Sequence, residues 1–109
     1  MLTGEKEKIE GICNELTKWL SIAQLAGEMS KKTKEWCLEV KNVPLLVLEC
    51  LKLDLLTPTV KGIIVKKINT FQEMGKLVGL LRRESSIKNS IDSLLADLES
   101  ELFVDSIYD

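Results

Sequence analysis

The chain contains no histidine. The side chain that most often serves as a general base near neutral pH is therefore missing. A zinc site would have to rest on cysteines and carboxylates alone. There are only two prolines, which leaves little room for long irregular linkers. Aromatic residues make up 5% of the sequence, too few to form a stacking platform for single-stranded nucleic acid. The three cysteines, Cys13, Cys37 and Cys50, form no C-x-x-C pair. An odd count without short spacing fits reduced, buried thiols in an intracellular protein better than a disulfide frame. No apolar run of about 20 residues, secretory n-region or lipidation motif is present. The expected setting is the cytosol or nucleus.

The residues that are there describe a globular chain: 45% apolar and 29% charged over 109 residues. This length fits one domain, residues 1–109, with a core of its own. The net charge of −2 argues against a polycation for nucleic acid or membranes, but it is unevenly spread. From Lys61 to Lys88 seven basic residues face two acids. From Asn89 to Asp109 there are six acids and no base. These adjoining blocks could compensate one another across a helix pair.

Apolar residues recur at helical spacing nearly throughout. A first helix is expected from about Gly4 to Gly27, with Ile9, Ile12, Leu16, Trp19, Ala23 and Ala26 on its buried stripe. Ser30 is a candidate cap for a shorter helix carrying Trp36, Cys37 and Val40. Pro44 suits the first turn of the next, and PLLVLECLKLDLL, apolar on most faces, reads as the central helix of a bundle. Thr57 and Pro58 read as cap and first residue of a helix bearing Val60, Ile63, Ile64 and Ile68. Thr70 and Glu73 have capping-box spacing, which predicts a separate helix over FQEMGKLVGLLRRE with Phe71, Met74, Leu77, Val78 and Leu81 buried. Ser85 or Ser86 would cap a last helix with the stripe Ile87, Ile91, Leu94, Leu95, Leu98 and Leu102. The expected fold is all-α: a compact bundle of five to six short helices.

Within FQEMGKLVGLLRRE, Gly75 and Gly79 each cost a helix interior about 1 kcal/mol relative to alanine. They are no phosphate loop, since that requires free backbone N–H groups at a helix opening. Close packing against a neighbouring helix, or the floor of a partner groove, is the expected gain. Arg82 and Arg83 would sit in the last turn, where cations suit the helix dipole. Lys61, Lys66, Lys67, Lys76, Arg82 and Arg83 could also gather on one surface that attracts acidic peptide. Nucleic acid would bind such a surface weakly at most, because no base-reading residues cluster beside it. Trp19 and Trp36 read as core anchors, and Phe71 as core or as the rim of a groove. For catalysis there is little: the serines of SSIKNS have no oxyanion hole beside them, and the cysteines have no adjacent base.

The run NVPLLVLECLKLDLLTPTVKGIIVKKINTFQEMGKLVGLLRRESSIKNSIDSLLADLESEL resembles the N-terminal domain family of transcription elongation factor S-II. Leu56-Thr57-Pro58-Thr59-Val60 looks like the family's turn. Met74-Gly75-Lys76-Leu77-Val78 and Leu81-Arg82-Arg83 look like its signature helix, and residues 86–102 like its closing helix. LTKWLSIA is similar to the tryptophan-containing helix that precedes this region in longer members. Gly79 stands where many members carry asparagine, and the acidic ELFVDSIYD lacks their terminal tryptophan-lysine pair. The resemblance implies a nuclear scaffold module of transcription elongation or chromatin regulation, not an enzyme and without a cofactor or metal. Its partners would be short disordered acidic and aromatic motifs, bound by a monomer away from membranes. The partner-binding residues would be Lys61, Lys67, Phe71, Gly75, Lys76, Gly79, Arg82 and Arg83. The alternatives are an armadillo- or HEAT-like fragment and an oligomerising domain that buries PLLVLECLKLDLL between subunits.

Overall fold

The computed structural model describes residues 3–27 and 29–108, with side chains described for 4–27 and 29–103. Among the described residues the chain is all-helical: α1 (Thr3–Leu25), α2 (Lys31–Val40), α3 (Asn42–Leu53), α4 (Pro58–Lys76) and α5 (Arg82–Tyr108). Helices α2 and α3 are one bent rod. Lys41 between them keeps helical angles, φ −59° and ψ −20°. Pro44 has no N–H to offer the Val40 carbonyl, and its ring crowds that carbonyl, so the rod bends there.

The resulting rods are joined by short connections, which makes successive rods antiparallel. Helix α5 packs most extensively on α1 and α4, while the bent rod touches both α1 and α4. Periodicity explains why. On α1, Ile9, Cys13, Leu16, Leu20 and Ala23 are buried, and on α5 Ile87, Ile91, Leu95, Leu98 and Leu102. Each set follows a spacing of three or four, so each marks one face. All three cysteines are buried and free, and burial pushes Cys13 up to about 12 and Cys37 to about 11. Both thiols stay protonated at neutral pH and are weak nucleophiles.

Two of the expected caps form. The Ser30 hydroxyl accepts from Thr33 N–H at 3.3 Å, and the Thr57 hydroxyl accepts from Val60 N–H at 3.3 Å with Pro58 opening α4. Helix α3 ends in a Schellman motif: Leu55 N–H donates to Cys50 O at 2.8 Å and Asp54 N–H to Leu51 O at 3.3 Å. Asp54 takes the left-handed conformation at φ 56°.

Three expectations are corrected. Helix α4 runs straight through Asn69-Thr70, so the separate helix over residues 71–84 does not exist. Thr70 is no cap; its hydroxyl donates back to Lys66 O at 3.0 Å, and Glu73 pairs with Lys76 instead. The buried stripe of Ile64, Ile68 and Gly75 continues across the proposed break, and that packing outweighs the local capping signal. Secondly, PLLVLECLKLDLL is not central. Val43, Pro44, Val47 and Cys50 are buried, but Leu45 and Leu53 remain 51% and 54% exposed. Thirdly, α5 begins at Arg82, ahead of both serines named as caps. Ser85 donates back to Leu81 O at 3.3 Å.

Glu84 explains this earlier start. Its carboxylate accepts from Leu81 N–H at 2.9 Å, satisfying a donor at the opening of α5, and also from Ser30 N–H at the opening of α2. One buried side chain thus ties two helix N-termini together. These backbone N–H groups hold its pKa below the ordinary value of 4.5. Because the folded-state pKa lies below the unfolded one, the stabilisation is complete above about pH 4.5 and is lost as pH falls through the folded value. Thermal unfolding across pH 2–7 (a range of roughly five units, spanning the carboxylate titration) checks this: Glu84→Gln lowers Tm at neutral pH and flattens its decline in acid. An equal acid slope in both proteins would show that Glu84 is not the titrating tie.

Candidate functional site

Trp36 anchors the bent rod to α4. Its indole N–H donates to Phe71 O at 2.8 Å, and the ring is buried. A Cβ built on Gly75 would lie 3.2 Å from Trp36 Cζ2 and 3.2 Å from Lys88 Cε. Gly75 therefore lets the indole and the Lys88 stem approach the last turn of α4 closely, which is what this glycine contributes. Lys88 extends its ammonium to 5.9 Å from the indole centroid and pairs with Asp92 one turn on.

Beside this contact the bent rod and α4 part, leaving two adjoining cavities. One, of about 280 Å3, is lined by Lys32, Glu35, Trp36, Glu39, Met74, Leu77 and Val78. The other, of about 400 Å3, is lined by Glu39, Asn42, Val43, Leu46, Lys67 and Phe71. Glu39 borders both, so the two adjoin along one boundary, the groove between the bent rod and α4. Trp36, Val43 and Phe71 give it apolar surface, with Leu46, Met74 and Leu77 exposed at its rim. Glu35 and Glu39, one turn apart, line the bent-rod wall, and Lys67 the α4 wall.

The eight residues expected at a binding surface are only partly brought together. Lys67 and Phe71 line the groove, and Gly75 is buried behind it against Trp36. Lys76 is exposed next to this end of α4 and paired with Glu73 at 2.8 Å. Lys61 is withdrawn from the surface: it is 1% exposed and is not without a partner, because it falls on the buried stripe three residues before Ile64. Gly79 lies in the connection of residues 77–81, where an added Cβ would meet nothing within 4 Å, so it forms no helical groove with Gly75. Arg82 and Arg83 open α5 instead of closing a helix, with Glu84 offsetting their charge beside the dipole's positive end. Arg83 borders a separate cavity of about 50 Å3 with Met29, Leu81 and Ile87. Leu77 and Leu81, expected in the core, are exposed because α4 stops at Lys76, and Met74, within α4, faces the first cavity at 36% exposure.

Sequence reasoning alone does not single out the bent-rod wall. Its signal is nonetheless present: Lys32, Glu35, Glu39, Asn42 and Leu46 recur at three to four residues across the Pro44 break. Among the described residues no cluster of cysteines and carboxylates could hold a metal ion, and no helix is long and apolar enough to cross a membrane. No protein-family model, curated protein or solved structure matches the chain.

The two glycines separate packing from local propensity. Alanine favours a helix by about 1 kcal/mol over glycine, which alone would stabilise. At Gly75 the added methyl meets an indole pinned by its hydrogen bond, so Gly75→Ala is expected to cost about 1–3 kcal/mol net. Gly79→Ala has open space and is expected to stay within about 0.5 kcal/mol. Urea unfolding of the two variants measures both. A stabilised Gly75→Ala would mean that the indole moves aside.

Proposed function

We propose that this chain is a protein-interaction module whose binding surface is the groove between the bent rod and α4. The observation that carries this reading is the pair of adjoining cavities along the boundary of α2 and α3 with α4, both bordered by Glu39, with Leu77 82% exposed at one end. Apolar surface left open beside charged walls is the usual character of a partner site. An apolar anchor would enter over Phe71 and Trp36 while Lys67, and Lys76 nearby, steer acidic flanks. The Thr57-Pro58 turn and the closing helix that resemble the elongation factor S-II domain support extending this reading to a nuclear scaffold in transcription elongation or chromatin regulation, although the residues likened to the signature helix are split between the end of α4 and the start of α5. On that reading the partners are short motifs in disordered regulators, and the chain has no catalytic role. Lys61 drops out of the proposed site, and Arg82 and Arg83 are at most long-range contributors of charge.

Capture from nuclear extract, with the wild-type chain beside Met74→Glu/Leu77→Glu, tests this. Both substituted residues are exposed, so the fold should persist, as far-UV circular dichroism would verify. Elongation or chromatin regulators retained by wild type and lost with the variant are expected. Identical protein sets on the two baits would sink the groove as the binding surface.

A second reading has its own observation. Leu45, Leu53 and Leu55, on and just beyond α3, are each about half exposed, as an oligomerising face would be in an isolated copy. The groove reading expects a monomer. Sedimentation velocity over a hundredfold range of concentration (about 2.7 kcal/mol in association free energy) decides: a constant monomer mass excludes self-association through α3 in that range, and a rising mass favours it.

A further inference from the structure

We infer that the occupant of the groove is an amphipathic α-helix, with a basic flank toward α2 and an acidic flank toward α4. This rests on the groove being the binding surface. Both walls are helical, so apart from the helix ends and the carbonyl ahead of Pro44 their backbone N–H and C=O groups are bonded within α2, α3 and α4, and among the described residues there is no strand edge. An extended peptide laid there would leave water and find no main-chain partners. A helix arrives with its own main chain satisfied and needs only an apolar edge. The groove accepts such an edge: half-buried Phe71 and Val78 lie over the buried Trp36 and Val43, and Leu46, Met74 and Leu77 stand at the rim.

Charge fixes the orientation. Glu35 and Glu39 stand on the bent-rod wall, and Lys67 is exposed on the wall opposite. A partner helix whose apolar edge is seated between the walls meets carboxylates along one flank and an ammonium along the other. Lys32, at the far end of the bent-rod wall, accommodates an acid near that end of the partner. From Lys32 to Leu46 the wall extends at most about 21 Å at the helical rise, which calls for a partner of up to about four turns with apolar residues recurring at spacings of three and four.

Two phage libraries are the probes: one with a randomised face displayed on a stable single-helix scaffold, the other of unstructured 12-mers. Each is selected against the full chain and counter-screened on Met74→Glu/Leu77→Glu and on Glu39→Lys. The expected result is a set of helical binders that lose about tenfold or more in affinity on the double variant. Their basic residues should lie along one flank, with a loss of about tenfold on Glu39→Lys. Groove-dependent binders from the unstructured library alone would overturn the helical occupant and leave the groove reading standing. Helical binders indifferent to Glu39→Lys would overturn the assigned flanks. If neither library yields a binder sensitive to the double variant, the groove reading falls as well.

Discussion

The indole of Trp36 is the contact on which the rest of this structure depends. It meets three elements at once: α2, which carries it; α4, through the Phe71 carbonyl and Gly75; and α5, through the Lys88 ammonium over its ring. A large ring can come this close to a helix backbone only where the side chain beneath it is absent, which is the role of Gly75. Both α2 and α3 pack on α4, and the Trp36 contact fixes how closely they do so. The two cavities lie along that same boundary.

Electrostatics adds a second fastening at the other end of the connection. Arg82 and Arg83 open α5, where the helix dipole disfavours cations. Glu84 offsets that penalty by accepting from the Leu81 N–H, and it also reaches the N-terminus of α2 through Ser30. The same α2 that carries Trp36 is thus held at its start by a carboxylate and along its length by the indole. Residues 77–81 lie between those two ties, which accounts for how a connection with exposed Leu77 and Leu81 can be short and still join α4 to α5.

The parts of this architecture that are legible in sequence are those governed by one helix alone. The stripe of α5, the Ile9, Leu16 and Ala23 positions of α1, the Thr57-Pro58 start of α4 and the Ser30 cap depend on spacing and local chemistry, whereas Ile12, Trp19 and Ala26 lie at the margin of the core, which instead takes Cys13 and Leu20. The parts that mislead depend on what lies opposite. Thr70 and Glu73 have the spacing of a capping box, yet a threonine inside a helix can donate to the carbonyl four residues back, and only the continuity of Ile64, Ile68 and Gly75 decides between the two. Lys61 reads as surface charge by residue type, although its position on that same stripe places it inside. Close packing at Gly75 follows from sequence, but its neighbour does not, because nothing in α4 announces an indole from another helix.

For the candidate site, sequence reveals one wall. Lys67 and Phe71 stand out as charge and aromatic surface, whereas Glu35, Glu39 and Leu46 look like the solvated faces of two separate helices. The Pro44 bend is what makes them one wall, since it turns α3 without rotating its stripe away from that of α2. This changes the character of the site. A basic face would collect acidic chains of many shapes, with affinity that salt removes. If the proposed groove is the binding surface, carboxylates on one side and an ammonium on the other would instead select by shape and by the order of charges across a partner. On the proposed reading, recognition would be set less by the basic stretch from Lys61 to Lys88 than by where Trp36 holds α2 against α4.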